Sequence, residues 1–265
     1  MSIAAEVATG GEVTLEIDGH IAIITVANEA KLNAYTPQMM TQLSTQLTVF
    51  DDDDDLWVAV LCSAGDHTTA GLDMPKFFGP DGMLDAVPAG QVDPFGLTRR
   101  CRKPVVAVVQ GITFTVGIEM MLAADIVVAA DSARFAQLEA KRGIAPLGGA
   151  HFRYLTRTGW GNAMYHLLRC DEFDAQRALE LGFVQEVVPH GQQIERGMEL
   201  AREICQCAPI GLQATKQAAM TFLEDGERAA VEQIPEIQAK VFATEDFKEG
   251  VASFVERRAA IFQGR

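Results

Sequence analysis

Two short segments of the sequence place small residues and glycine just ahead of a helix-forming run, and each could do chemistry through its backbone. The first is His67-Thr68-Thr69-Ala70-Gly71-Leu72-Asp73-Met74. Glycine after small residues permits a sharp turn, and Asp73 close behind suits the first turn of a helix. The second is Gly111-Ile112-Thr113-Phe114-Thr115-Val116-Gly117-Ile118-Glu119, again strand, turn, helix. N–H groups at a helix start have no partner within the helix and can face an anion. A pair of such turns at the ends of neighbouring strands could aim two donors at one developing oxyanion. Glu119 stands among Met120, Met121 and Leu122, where an unpaired carboxylate is costly to bury. Beside an oxyanion-type turn, a functional role is the better account of it. Glu139, followed by Lys141 and Arg142, reads on its own as a surface acid in an ion pair.

The elements that must position these groups follow from periodicity. Val13, Leu15 and Ile17 alternate with polar residues, Asp18-Gly19 supplies a type I′ turn, and Ile21 to Val26 returns as a second strand. Thr36-Pro37 reads as N-cap and first helical position, and Met39, Met40, Leu43, Leu47 and Phe50 recur behind it at helical spacing. The run Asp51 to Asp55 reads as a solvated approach to a strand over Trp57 to Cys62. Further strands are expected at Pro104 to Val109, Ile126 to Ala129 and Arg134 to Gln137, with a helix over Gly117 to Ala124. This is α/β patterning with buried strands. Phe78 to Phe95, rich in Gly and Pro, reads as a long mobile excursion. From about Gly191 the period is helical, which divides the chain into a core over 1–190 and a helical part over 191–265. The apolar stripes of that second part suit burial against a neighbouring subunit.

Composition narrows the partners. The 265 residues carry 36 acidic against 22 basic side chains, a formal net charge of −14. Such a chain is repelled by nucleic acid and by anionic membrane surfaces unless its basic residues cluster. The five cysteines (Cys62, Cys101, Cys170, Cys205 and Cys207) show no metal-ligand spacing and read as reduced thiols of a cytoplasmic protein. No signal peptide is visible over Met1 to Gly10, and Glu119 and Asp125 interrupt the best candidate membrane span. His67 reads as a solvated loop histidine, and His20 as part of the hairpin turn. There is no dinucleotide fingerprint, phosphate loop or serine-hydrolase elbow.

Taken together, Leu32-Asn33-Ala34, Ala70-Gly71-Leu72-Asp73, Gly117-Ile118-Glu119 to Asp125, and Phe135-Ala136-Gln137-Leu138-Glu139 with Gly143, Pro146 and Gly148-Gly149 match one family. So do Ala178 to Pro189, Phe242 to Asp246 and Glu249-Gly250. The sequence resembles the crotonase superfamily, the enoyl-CoA hydratase/isomerase proteins, over essentially its whole length. The resemblance implies a crotonase-type spiral of repeated ββα units with a C-terminal all-helical oligomerisation subdomain, assembled as a homotrimer or as a hexamer of two trimers. It implies an oxyanion hole from the N–H groups of Leu72 and Val116, with Glu119 activating water and Glu139 handling the proton at Cα. It assigns substrate contacts to Lys31, Leu32, Ala70, Gly71, Asp73 and Met74. An acyl-CoA thioester is then the substrate, with no metal and no further cofactor.

Three departures bear on the reaction. Thr115-Val116-Gly117 stands where the family commonly has a glycine run, and a β-branched Val116 restricts φ, so the acyl pocket should be narrower there or the turn shaped differently. Ala27-Asn28-Glu29 puts an acid near the CoA-contacting loop, and Ala136-Gln137-Leu138-Glu139 replaces Gly-x-Pro-Glu. The family also includes Δ3-Δ2 enoyl-CoA isomerases, β-diketone hydrolases and RNA-binding relatives. Retention of both glutamates favours hydration, and the net charge of −14 speaks against RNA. Basic groups for the CoA phosphates are sought at Lys31, Arg99 to Lys103, Lys248 and Arg257-Arg258.

Overall fold

The computed structural model describes residues 10–82 and 87–265; the readings made for residues 1–9 and 83–86 lie outside them. Strands β1 (Glu12–Asp18) and β2 (Ile21–Ala27) form the expected hairpin. Its turn is Gly19-His20, one residue later than expected, because Asp18 and Ile21 close the ladder as a pair. Only Gly19 takes a positive φ there (60°), as a type II′ loop requires at its first position. The His20 ring lies flat on Trp57 at 3.8 Å.

Helix α1 (Pro37–Asp52) starts where Thr36 accepts a hydrogen bond from the Met39 N–H at 3.2 Å. Its stripe of Met39, Met40, Leu43, Leu47 and Phe50 is buried in the core. After β3 (Val58–Ser63) and the short α2 (Met74–Phe78), the chain winds as a spiral. One turn is β4 (Val105–Val109), β5 (Ile112–Phe114) and α3 (Val116–Ala123); the next is β6 (Ile126–Ala130), β7 (Arg134–Ala136) and α4 (Ala150–Arg169). Then come β8 (Glu172–Asp174), α5 (Ala175–Glu180) and β9 (Glu186–Val188). Each turn gives one strand to a six-stranded sheet, β1-β2-β3-β4-β6-β9, and one to a small sheet, β5-β7-β8. Beyond the hairpin, every pairing in the large sheet is parallel.

Helices α6 (Gln193–Ile204), α7 (Pro209–Phe242) and α8 (Glu245–Glu256) complete the chain. Met198 and Ala201 of α6 pack on Val60, Val108 and Val128, so this first helix after residue 191 covers the sheet. Gly197 is needed there, since a Cβ would sit 2.4 Å from the Val108 side chain. Helix α7 breaks at Gly226, whose ψ of 177° interrupts the helix. Cys205 caps the end of α6, and Cys205-x-Cys207 follows the helix rather than lying in it. Among the described residues no helix is long and apolar enough to cross a membrane.

Two sequence readings are corrected by packing. Asp51 is not solvated: it is fully buried, takes the Arg102 N–H at 2.7 Å, and pairs with Arg99 at 3.0 Å and the Arg102 side chain at 3.2 Å. Arg99 also pairs with Asp52, and the buried Lys103 ammonium donates to the Phe50 carbonyl at 2.9 Å. The acidic run and the basic run, far apart in sequence, therefore neutralise each other and clamp α1 to the start of β4. Asp51→Ala is expected to lower the unfolding free energy by about 2–4 kcal/mol, read from a urea transition. Partial exposure of the two arginines holds this below the loss from a fully buried pair. The return of the Phe78 to Phe95 excursion is likewise fastened, not loose. Asp93 accepts the N–H groups of Phe95 and Leu97, and Ser44 donates to the Val92 carbonyl at 2.7 Å.

Candidate active site

The first glycine turn is tied to the segment before α1. Ala70 donates to the Leu32 carbonyl at 2.9 Å, Tyr35 donates to the Gly71 carbonyl at 2.9 Å, and Asp73 donates to the Tyr35 carbonyl at 2.8 Å. Asn33 fastens the same layer: its amide donates to the carbonyls of Ala64 and His67, and its oxygen accepts the Asn28 N–H. Leu32 and Asn33 both adopt left-handed backbone (φ 51° and 53°), which aims the Asn33 side chain into that knot. His67 is occupied as well, since its Nδ1 accepts the Ile112 N–H at 3.2 Å.

The second turn is joined to the first through Thr69. Phe114 donates to the Thr69 carbonyl at 3.0 Å, and Thr69 donates to the Asn33 carbonyl at 2.8 Å. Gly71, at φ +116°, lies so close to the second turn that a Cβ would meet Thr115 Oγ1 at 2.6 Å. The β-branched residue that meets the unusual turn geometry is one position earlier than Val116. Thr115, the residue before α3, has φ 51° and ψ −114°, which is costly for a β-branched side chain. Val116 itself is the first helical residue, and its side chain is buried in the core. Among the described residues, the N–H groups of Leu72 and Val116 meet no acceptor.

Both glutamates are buried, Glu119 at 2% exposure and Glu139 at 8%. For Glu139 this overturns the reading of the bare residue as a surface ion pair. Neither carboxylate forms an ion pair among the described residues. Glu119, in the first turns of α3, accepts the Ala150 N–H at 3.1 Å. Gly148 must be glycine for this, because a Cβ would lie 2.5 Å from Glu119 Oε2. Glu139 opens a short 3₁₀ turn (Glu139–Arg142), and Gln137 donates to its Oε1 at 2.9 Å. The departure at Gln137 thus presents the second glutamate by a side-chain hydrogen bond. Burial pushes the Glu119 carboxyl up to about 7, opposed by the Ala150 N–H and reinforced by the negative charge of Glu139. Burial also raises Glu139, opposed by its own N–H and by Gln137.

A raised carboxyl makes the folded protein bind protons more tightly than the unfolded chain, so stability falls as pH rises from about 4.5 towards about 7. Thermal unfolding should show this decline, and Glu119→Gln should flatten it. The variant should gain roughly 2–4 kcal/mol over wild type above neutrality.

At the rim, Lys31 pairs with Asp73 at 3.1 Å, and Lys76 lies 4.0 Å from the same carboxylate. Both ammonium groups are largely exposed, which suits them to phosphate. Met74 begins α2 and is partly exposed at the same edge. Of the other expected cations, Arg99 and Arg102 are engaged on Asp51, Lys103 on the Phe50 carbonyl, Lys248 on Glu245, and Arg258 on Glu249 and Glu256, while Arg100 and Arg257 form no ion pair among the described residues. Sequence reasoning missed Lys76 and Arg153, and it gave no role to Asn33 and Thr69 although both stand in the segments it singled out. The buried Arg153 donates to the Gly148 carbonyl at 3.1 Å and to the Phe95 carbonyl at 2.5 Å. It braces the turn on which Glu119 docks. The Gly148-Gly149 pair ahead of α4 was its one sequence signal.

The arrangement can polarise a carbonyl with two backbone donors and move protons with two carboxyl groups. The enoyl-CoA hydratase/isomerase family matches residues 16–265. An enoyl-CoA hydratase of Mycobacterium tuberculosis is 32% identical, covering 98% of this chain and all of its own. An (E)-benzylidenesuccinyl-CoA hydratase of Thauera aromatica is 31% identical, over 95% of this chain and 99% of its own. The crystal structure of a probable enoyl-CoA hydratase/isomerase from Mycobacterium abscessus superposes with a TM-score of 0.93 at 39% identity, covering 97% of this chain and all of that one. With its crotonase-type α/β spiral, the chain belongs to the enoyl-CoA hydratase/isomerase family of enzymes.

Proposed function

We propose that the protein hydrates the 2,3 double bond of a trans-2-enoyl-CoA. The observation that carries this reading is the burial of two carboxyl groups that form no ion pair among the described residues, beside two turns whose N–H groups meet no acceptor among those residues. The Leu72 and Val116 N–H groups take the thioester oxygen and draw electron density from Cβ. The Glu119 carboxylate removes a proton from water as its oxygen attacks Cβ. The pair holds one proton, and with that proton on Glu139 it passes to Cα of the resulting enolate, after which proton transfer from Glu119 to Glu139 restores the starting state. An isomerase would need one base and no water, and would not explain a second buried carboxyl group held in place. The steps are addition of the water oxygen to Cβ, with the double-bond electrons passing into the enolate, and proton transfers; no electron leaves or enters the pair of reactants, so the reading calls for no redox cofactor, and the two N–H groups take the place of a metal at the carbonyl.

Ala70, Gly71, Leu32, Asp73 and Met74 line the approach, and Lys31 with Lys76 receives the CoA phosphates. We place the enzyme in the cytoplasm as a homotrimer or a pair of trimers, with residues 191–265 supplying the subunit contacts. The apolar side chains exposed on the last helices, Val231 and Ile234 of α7 and Phe254 of α8 (86% exposed), support that assembly. Adding enzyme to crotonyl-CoA and longer enoyl-CoAs should abolish the ultraviolet absorbance of the conjugated thioester. If no member of such a series loses absorbance, the hydratase reading fails.

A further inference from the structure

Four buried side chains carry polar atoms that meet no hydrogen-bonding group among the described residues: Glu139 Oε2, Gln137 Oε1 and the Tyr154 hydroxyl, and also His166 Nε2, on a ring that packs on Phe173 and is held through Nδ1 by Asp171. Tyr154 is fully buried. It lies on α4 four residues after Ala150, hence on the same helix face, and helix side chains lean toward the N-terminus. Its ring therefore reaches back over the turn whose Ala150 N–H holds Glu119. Below, the ring packs on Phe183 at 4.4 Å, and Phe183, Phe173 and Phe135 continue as a stack to β7, the strand leading into Gln137 and Glu139. An unsatisfied buried hydroxyl costs about 1–3 kcal/mol, so a dry apolar side chain would be favoured here unless the hydroxyl has a use. The charged groups facing it are Glu139 first, then Glu119 and Asp171.

The donor count defines that use. Two acceptors and one hydroxyl donor match one water molecule, which donates twice and accepts once. We propose that Tyr154 is a positioning residue for the second glutamate, orienting through a bound water the Glu139 oxygen that Gln137 leaves unheld. This water is distinct from the one that attacks Cβ, and it lies on the side of Glu139 away from the substrate. Gln137 fixes Oε1 and Tyr154, through the water, fixes Oε2, so the carboxyl plane is set from both ends and the carboxylate left when the proton passes to Cα is stabilised. The inference rests on the hydratase reading for the meaning of that proton but not for its geometry.

Tyr154→Phe tests it, because the ring keeps its seat on Phe183 and only the hydroxyl is lost. Loss of the donor chain destabilises the Glu139 carboxylate. Its titration, followed by ¹³C NMR of labelled glutamate and assigned with Glu139→Gln, should move up by about half to one pH unit. The same variant should lower kcat about three- to tenfold with KM nearly unchanged, and its alkaline limb should move up with the carboxyl. A high-resolution crystal structure of the wild type should show one water touching Glu139, Gln137 and Tyr154. An unmoved titration, or a Tyr154 hydroxyl bonded elsewhere with no water on Glu139 Oε2, overturns the proposal. An enzyme that hydrates no enoyl-CoA yet shows the water and the shifted titration would sink the function and leave the positioning intact.

Discussion

Glu119→Gln is expected to lower kcat for enoyl-CoA hydration by about 10²–10⁴-fold while KM stays within a small factor. The amide has the same shape and keeps an oxygen for the Ala150 N–H, so the turn braced by Arg153 remains in place. What disappears is the capacity to take a proton from water. Burial raises that capacity, since a carboxyl pushed up to about 7 is a far better base than an exposed one. Wild-type activity should accordingly rise with pH through about 7, as the carboxylate form appears. Glu139→Gln should produce a loss of similar size by withholding the proton from Cα. The pair separates mechanisms: a double-bond isomerase would depend far more on one of the two residues. Full activity in either variant, measured by thioester absorbance on protein with intact thermal unfolding, would remove that glutamate from the reaction. Because the two groups feel each other's charge, their limbs in a pH profile belong to the pair and not to single residues.

The second large effect is expected from Gly71→Ala, with kcat falling about 10²–10³-fold. Two physical terms act together at this position. The φ of +116° is open to glycine and strained for alanine, and the new Cβ would collide with Thr115 Oγ1 at 2.6 Å. Relief by backbone movement displaces both the Leu72 N–H and the turn that carries the Val116 N–H. Adding Thr115→Ala removes the colliding oxygen but leaves the backbone strain, so the double variant should recover only part of the activity. The readout is kcat with a good substrate, alongside the affinity for CoA alone. CoA binding should persist, because the Lys31 and Lys76 rim is untouched. A Gly71→Ala enzyme with wild-type kcat would mean that these turns do not bind the reacting carbonyl.

Much of the fold was legible because its signals are local. The Thr36-Pro37 start of α1, the continuous apolar strands and both glycine turns follow from short-range rules, and each appears where expected. Readings failed where the decisive partner is remote. Asp51 looks like one of five solvated acids until Arg99 and Arg102 fold onto it. Glu139 stands beside Lys141 and Arg142 in sequence, yet the 3₁₀ turn carries it inward while they stay at the surface. Helix α4 was not anticipated, since Gly159 interrupts its periodicity, and Arg153 and Tyr154 were missed with it. The backbone restriction read at Val116 bears on Thr115 instead, because Val116 is already the first helical residue.

The lacing of the two glycine turns has a consequence for exchange with solvent deuterium. Asp73 and Thr115 donate to the carbonyls of Tyr35 and Ala136, so their amide protons should exchange slowly. The neighbouring amides of Leu72 and Val116 meet no such acceptor among the described residues, and should form a pair of early-exchanging positions inside a slow lattice. A thioester oxygen seated between them would turn both slow at once. The two amides thus carry a natural reporter of carbonyl occupancy, readable without turnover and without any label on the ligand.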